Sequence, residues 1–507
     1  MKHIFFLLAF TAILPAQKFL SDDPLEQEPR PRLIDPLKNR KLSDIYDLFS
    51  HQFGPPGELS KTLKKPIPAQ AVNTLGEPMD GVWWERRHYY KPMSLDELKR
   101  GPGNTHIPAD GPWTVISAKN EGITPGFVIV DAKKNRFFIK FDPLSNPSMA
   151  TACDALVSRI FYALGYHVPE NDIVYFTPDR LVLGENVELL DAKGKPRKMT
   201  NRDVLEILLK VPKTKDGKYR ATASYSLPGK TIGPPRYYGT RSDDPNDVVP
   251  HEHRRDLRGL HVIDAWLGHD DSRAINNVDV FISEGKQGYV KHFMLDFGST
   301  LGSGTQQPNS PRSGAYFFDW GTAAQQTFTL GLAPPYWAFA KYPKLPEVGR
   351  FEAKTFNPEK WVAEYPNPAF LNRLPDDEFW GAKLVTAFTN DELKALVETA
   401  QYQDPKSADW VLKCLIERRD KIGKAYFAKL LPLDKFRFEN GKLAWDDLGA
   451  KLGYYPAADV EVATAPFDNG SGPSGIVRTK LTSKKNPKHV IDVYSKGEKI
   501  IGIDRAW

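Results

Sequence analysis

Between Trp113 and Gly165 the chain changes its apolar period, and that change limits the folds open to it. Val115–Ala118, Phe127–Asp131 and Arg136–Phe141 have strand length and strand composition. Gly122 and Gly126 punctuate the turn between the first two, and Ala132–Asn135 joins the last two as a hairpin. From Ser148 to Leu164 the period becomes helical. Met149, Cys153, Leu156, Ile160 and Ala163 share one face, and Gly165 stands in the position of a C-cap. Val174–Phe176 and Leu181–Leu183 return to the strand pattern. This order predicts a small α+β lobe.

The rest of the 507 residues divides around that lobe. Residues 1–16 read as a signal peptide, with Lys2 as the charged start and Ile4–Ala16 as a short apolar run. Residues 17–112 read as an arm packing on the core. It holds one short helix near Leu42–Phe53, the aromatics Trp83, Trp84, Tyr89 and Tyr90, and a capping box at Ser94 and Glu97. Residues 113–185 form the β-rich lobe and 186–433 a helical lobe. Within the latter, 186–250 is loop-rich, a helix covers 252–268, strands follow at Val278–Ser283 and Tyr289–Leu295, and 376–430 is helical. Thr389 and Ser407 are read as helix caps there. Residues 434–507 read as an all-β appendage.

Composition excludes several classes. The charge balance, 69 Lys and Arg against 63 Asp and Glu, gives a net charge of +6, and the basic residues are scattered rather than striped. That argues against a nucleic-acid binder. No apolar run after the N-terminus approaches the length needed to cross a bilayer, so no transmembrane span is expected after signal cleavage. Cys153 and Cys414 are the only cysteines and fall at apolar helix positions, so buried free thiols are expected and a disulfide framework is not. His251 and His253 flank Glu252 beside Arg254 and Arg255. We read them as a solvated helix start rather than a metal pair.

Three segments carry residues with a shared chemical logic. Lys140 sits near the end of a predicted strand in Phe-Phe-Ile-Lys-Phe-Asp. His269-Asp-Asp-Ser-Arg-Ala-Ile-Asn276 follows a predicted helix, and Asp296-Phe-Gly298 follows a predicted strand. A strand lysine can pair with phosphate oxygens. Asn276 and Asp296 are oxygen donors suited to Mg²⁺ or Mn²⁺ between phosphates. Asp271 can accept the proton of an attacking hydroxyl, with the cation of Arg273 two residues further on. Gly122 and Gly126 lie where a turn could cover the phosphates, although no full GxGxxG is present. Asp154 is the only acid in the body of the helix after Lys140, hence its candidate partner; the other reading is a solvent-exposed Asp.

These segments resemble the catalytic segments of the protein-kinase fold: the strand lysine Lys140, the catalytic-loop spacing His269-x-Asp271-x4-Asn276 and the metal-binding motif Asp296-Phe-Gly298. The resemblance covers roughly residues 113–430 and is closest to divergent branches such as the HipA-like, Fam20-like and CotH-like secretory kinases. No Ala-Pro-Glu follows Gly298, and Asp154 is shorter than the usual Glu. The resemblance implies a two-lobed α+β kinase-like fold with ATP or another nucleotide triphosphate and Mg²⁺ or Mn²⁺ as cofactors. Its partners would be that nucleotide and a protein or small-molecule acceptor hydroxyl. With the signal peptide, it implies a secreted or periplasmic protein. Two rivals stand beside this reading: an inactive pseudokinase scaffold, and a secreted binding or adhesion protein.

Overall fold

The computed structural model describes residues 24–103, 106–119, 125–190, 195–467 and 475–507. The expected signal segment and Gly122 lie outside the described residues. The arm carries α1 (Asp44–Phe53), α2 (Ser60–Leu63) and α3 (Leu95–Arg100). α1 falls where the short helix was expected. α3 opens on its capping box: the Glu97 amide donates to Ser94 Oγ, and the Ser94 amide to Glu97. Between α2 and α3, Trp83 and Trp84 are buried, and Trp84 Nε1 donates to the Leu164 carbonyl at 2.8 Å. These rings belong to the same core as the later helices, so the arm is part of the folded body.

The first lobe comprises β1 (Trp113–Lys119), β2 (Gly126–Val130), β3 (Arg136–Lys140), α4 (Met149–Ala163), β4 (Asn171–Phe176), β5 (Leu181–Leu183), β6 (Glu188–Leu190), β7 (Pro196–Lys198), α5 (Asn201–Leu208) and β8 (Tyr219–Tyr225). Six of the strands form one sheet in the order β4-β8-β3-β2-β1-β5. Only the β1–β5 pairing in it is parallel. Phe137 and Ile139 of β3 join Phe127, Phe176 and α5 in the lobe's core. Period-two alternation therefore places Lys140 on the opposite face.

The division at 185 needs correction. The lobe runs to Tyr225, because β8 is an interior strand between β3 and β4 and α5 contributes Val204, Ile207 and Leu208 to the core. β8 was hidden by its composition. Tyr219, Ala221 and Ala223 face the core, while Arg220 and Thr222 on the other face are polar and yet buried.

The second lobe holds β9 (Lys230–Thr231), α6 (Arg255–Leu267), β10 (Asn277–Glu284), β11 (Gln287–Met294), α7 (Trp320–Phe328), α8 (Pro368–Leu371), α9 (Pro375–Val385), α10 (Asn390–Glu398) and α11 (Pro405–Phe427). α4 is buried on nearly every side, and its Leu156, Ile160 and Phe161 belong to this lobe's core. α6 and α9 cross at glycines: a Cβ on Gly259 would fall 2.3 Å from Trp380 Cε3. Two local expectations change. The cap of α11 is Asp404, which accepts from the Lys406 amide at 2.9 Å, with Pro405 at the first helical position; Ser407 is buried inside the helix. His251, Glu252 and His253 are buried rather than solvated. His251 pairs with Asp247, and His253 with Glu58, each at 2.9 Å. Cys153 and Cys414 are buried free thiols, as expected.

The appendage contains β12 (Leu433–Glu439), β13 (Lys442–Asp447), α12 (Leu448–Lys451), β14 (Val460–Pro466), β15 (Ile476–Ser483), β16 (Val490–Lys496) and β17 (Lys499–Ala506). β12 and β13 form a hairpin, and β14 to β17 an antiparallel meander. Buried Asp434 binds it to the body, accepting from Tyr89 at 2.7 Å and Lys383 at 2.9 Å, and it also accepts from Arg505 of β17 at 3.2 Å. Among the described residues no helix is long and apolar enough to cross a membrane.

Candidate functional site

Lys140 closes β3, directly opposite Gly126 of β2. Gly126 has a local reason to be glycine: a Cβ there would sit 2.6 Å from the Ile139 carbonyl oxygen. Lys140 Nζ lies 3.1 Å from Asp296 Oδ1 and 3.6 Å from Asp154 Oδ2. The lysine side chain is 41% exposed, whereas that of Asp154 is 4% exposed. Asp154 thus reaches Lys140, and the exposed-Asp reading does not hold. Burial works to lower the Lys140 pKa, but Asp154 and then Asp296 outweigh it and hold the ammonium charged well above the ordinary lysine range. Burial pushes the Asp154 carboxyl up to about 6, with Lys140 opposing the rise.

Asp296 adopts a left-handed backbone, φ 57° and ψ 51°, uncommon for a residue with a Cβ. Phe297 is fully buried, its ring 4.8 Å from Phe161 of α4. His269 meets Phe161 and Phe297 at 6.3 and 6.4 Å, so an aromatic cluster joins α4, the loop after α6 and the Asp296 turn. Gly298 lies over Asp154: a Cβ there would meet Thr305 Cγ2 at 3.3 Å and rest in ordinary contact, 3.7 and 3.8 Å, with the Asp154 carboxylate oxygens.

The loop after α6 is folded onto its own backbone. The His269 amide donates to the Asp264 carbonyl at 2.9 Å, and burial lowers the imidazole pKa. Asn276 Nδ2 donates to the Asp271 carbonyl at 2.8 Å, which holds the side-chain amide against its own loop. The Leu295 amide donates to the Asn276 carbonyl at 3.2 Å, tying this loop to the residue before Asp296. Arg273 engages carboxylates: it bonds Asp271 through Nε, reaches Asp44 of α1 at 2.7 Å and lies 3.8 Å from Glu364. Burial, with Asp271 and Asp270 nearby, pushes Glu364 up to about 7. Motif spacing could not have found Asp44 or Glu364, since one lies in the arm and the other in an irregular stretch.

The two lobes are clamped beside this cleft. Buried Arg220 of β8 donates to Thr151 of α4 at 2.9 Å, and to the carbonyls of Ala400 and Gln401 after α10 at 2.6 and 2.7 Å. A strand lysine, a helix carboxylate and a loop carboxylate thus meet between a β-rich lobe and a helical lobe.

The architecture is α+β and two-lobed, with Lys140, Asp154 and Asp296 meeting between the lobes. No family model matches the chain, and no curated protein matches it by sequence. Among solved structures it is similar to the Helicobacter pylori proinflammatory kinase CtkA. The identity is 10% and the TM-score 0.31, over 60% of this chain and 94% of that one. It is also similar to the Golgi casein kinase, with 12% identity and a TM-score of 0.31, over 66% of this chain and 75% of that one. The Golgi casein kinase with Mn/ADP bound gives 11% and 0.30, over 66% and 73%.

The donors present suit a nucleotide with a hard cation. Asp154 Oδ1 is buried without a hydrogen-bond partner, and Lys140 presents its ammonium at the cleft. Asp296 and Asn276 offer oxygen atoms. Among the described residues no group of three or more His, Cys, Asp or Glu could hold a metal ion unaided.

Proposed function

We propose that this chain is a phosphotransferase that moves a phosphoryl group from a nucleotide triphosphate to a hydroxyl of a protein or small molecule. The observation that supports it is the convergence of Lys140 on Asp154 and Asp296 across the cleft. In this reading Lys140, oriented by Asp154, holds phosphate oxygens of the donor. Asp296 and Asn276 hold Mg²⁺ or Mn²⁺, which when bound neutralises phosphate charge. Asp271 takes the proton as the acceptor oxygen bonds to phosphorus. The bridging P–O bond breaks and the nucleoside diphosphate leaves. The N-terminal run at Ile4–Ala16 supports export, to a periplasmic or extracellular site.

The test joins thermal shift with ATP, with and without Mg²⁺ or Mn²⁺, to an assay of phosphoryl transfer. Asp271→Ala should lower turnover by about two to four orders of magnitude, the usual weight of general base catalysis, with little change in nucleotide affinity. Lys140→Ala should weaken both. Activity undiminished in Asp271→Ala removes that residue from the mechanism. One observation favours a second reading, a nucleotide-binding pseudokinase: Arg273 already neutralises Asp271, the group assigned to the acceptor. A metal-dependent thermal shift without transfer would select it.

A further inference from the structure

α1 is amphipathic in the reverse sense. Its Asp47 and His51 are buried, while Ile45, Tyr46, Phe49 and Phe53 are exposed. Spacings of four residues put Ile45, Phe49 and Phe53 on one face. A row of apolar side chains facing water marks a surface that something covers. Gln52 Nε2 donates to the Phe318 carbonyl at 2.8 Å, which sets α1 against a second exposed apolar stretch. There Phe317, Phe318 and Trp320 are exposed, with successive rings 6.2 and 5.9 Å apart. α7 buries none of its residues, and Phe328, Leu330 and Leu332 at and beyond its end are 87%, 89% and 86% exposed. From Trp320 to Ala340 the sequence contains no Asp, Glu, Lys, Arg or His. Lysines flank it: Lys38 and Lys41 precede α1, Lys341 and Lys344 follow the uncharged stretch, and all four are exposed, while the nearby acids are engaged, Asp319 as the cap of α7 and Asp44 with Arg273.

We propose that this face docks on an anionic lipid surface. Phe and Leu at a protruding tip, aromatic rings beside them and lysines at the margin are the elements an interfacial segment needs. The lysines supply attraction to anionic headgroups, and the apolar tip supplies burial. The stretch from Trp320 to Ala340 carries no charge that would have to be desolvated on entering an apolar boundary layer, and the lysines lie outside it. The proposal concerns a face lying on a bilayer rather than a span across it, and it does not depend on the phosphotransfer reading.

Co-sedimentation of the full chain with phosphatidylcholine vesicles, with and without phosphatidylglycerol, tests it. The chain should pellet with the anionic vesicles, less so at raised salt, and weakly with the neutral ones. Phe49→Ser/Phe53→Ser and Phe328→Ser/Leu330→Ser should each reduce binding by about tenfold or more, as expected for removing apolar side chains from an interface. Lys341→Glu/Lys344→Glu should abolish the preference for anionic vesicles. All replaced side chains are exposed, so unchanged melting of the variants separates lost docking from lost folding. Three results would overturn the proposal: no pelleting of the wild type, pelleting of both apolar variants at the wild-type level, or lipid-free self-association abolished by the same variants. The last would assign the face to a second copy of this chain.

Discussion

Replacing Asp154 with Asn exposes the cost of the charge buried beneath the cleft. The side chain is 4% exposed, and burial raises its carboxyl from an ordinary 3.8 to about 6 against the pull of Lys140. An acid whose pKa rises on folding opposes folding once it ionises. Well below pH 3.8 it is protonated in both states and contributes nothing. As pH rises from 3.8 towards 6, the unfolded chain ionises first and the folded state loses ground. Above that window the loss is complete. Roughly two pH units at about 1.4 kcal/mol each make about 3 kcal/mol. Asn has nearly the same shape and never ionises. Asp154→Asn should therefore match the wild type at about pH 3 and exceed its stability by about 3 kcal/mol at about pH 8. Urea unfolding followed by tryptophan fluorescence, in EDTA and across that range, reads the difference. If the chain binds a nucleotide, the gain should come with weaker binding, because Lys140 loses one of its two carboxylates. A wild-type minus variant difference that does not change with pH would refute the reasoning, as would a variant less stable than the wild type at the alkaline end.

Arg220→Met removes the clamp between the lobes and leaves Asp142, 3.9 Å away, buried without its cation. Chemical denaturation should show a loss of about 3–5 kcal/mol, the usual consequence of breaking a buried ion pair. Gly259→Ala should destabilise by about 1–3 kcal/mol, because its Cβ would meet Trp380 at 2.3 Å. Glycine to alanine in an open helix gains up to about 1 kcal/mol, so the sign of the change in thermal melting checks the α6–α9 crossing. Glu364 ionises at about 7 and then competes with Asp271 for Arg273. If the chain transfers phosphate, its rate should rise through that pH, and Glu364→Gln should flatten the profile.

Some of this protein was determined by sequence alone. The period change at Ser148, the capping boxes at Ser94 and Thr389 and the alternation in β3 are local, so they could be read without neighbours. The order of Lys140, the His269–Asn276 loop and Asp296-Phe-Gly298 likewise carried the resemblance to the protein-kinase fold, because order and spacing are read along the chain. Tertiary structure decided what depends on partners distant in the chain. β8 reads as polar, since Arg220 and Thr222 are buried against α4 and the segment after α10, whose contacts satisfy them. His251 and His253 read as solvated, yet Asp247 and Glu58 make their burial tolerable. Asp154 could be read as the partner of Lys140 or as a surface acid, and the burial of α4 between the lobes decided for the partner. The carboxylates around Arg273 came from the arm and from an irregular stretch. A sequence displays propensity and period. The environment that makes a buried charge affordable is assembled only when remote segments fold together.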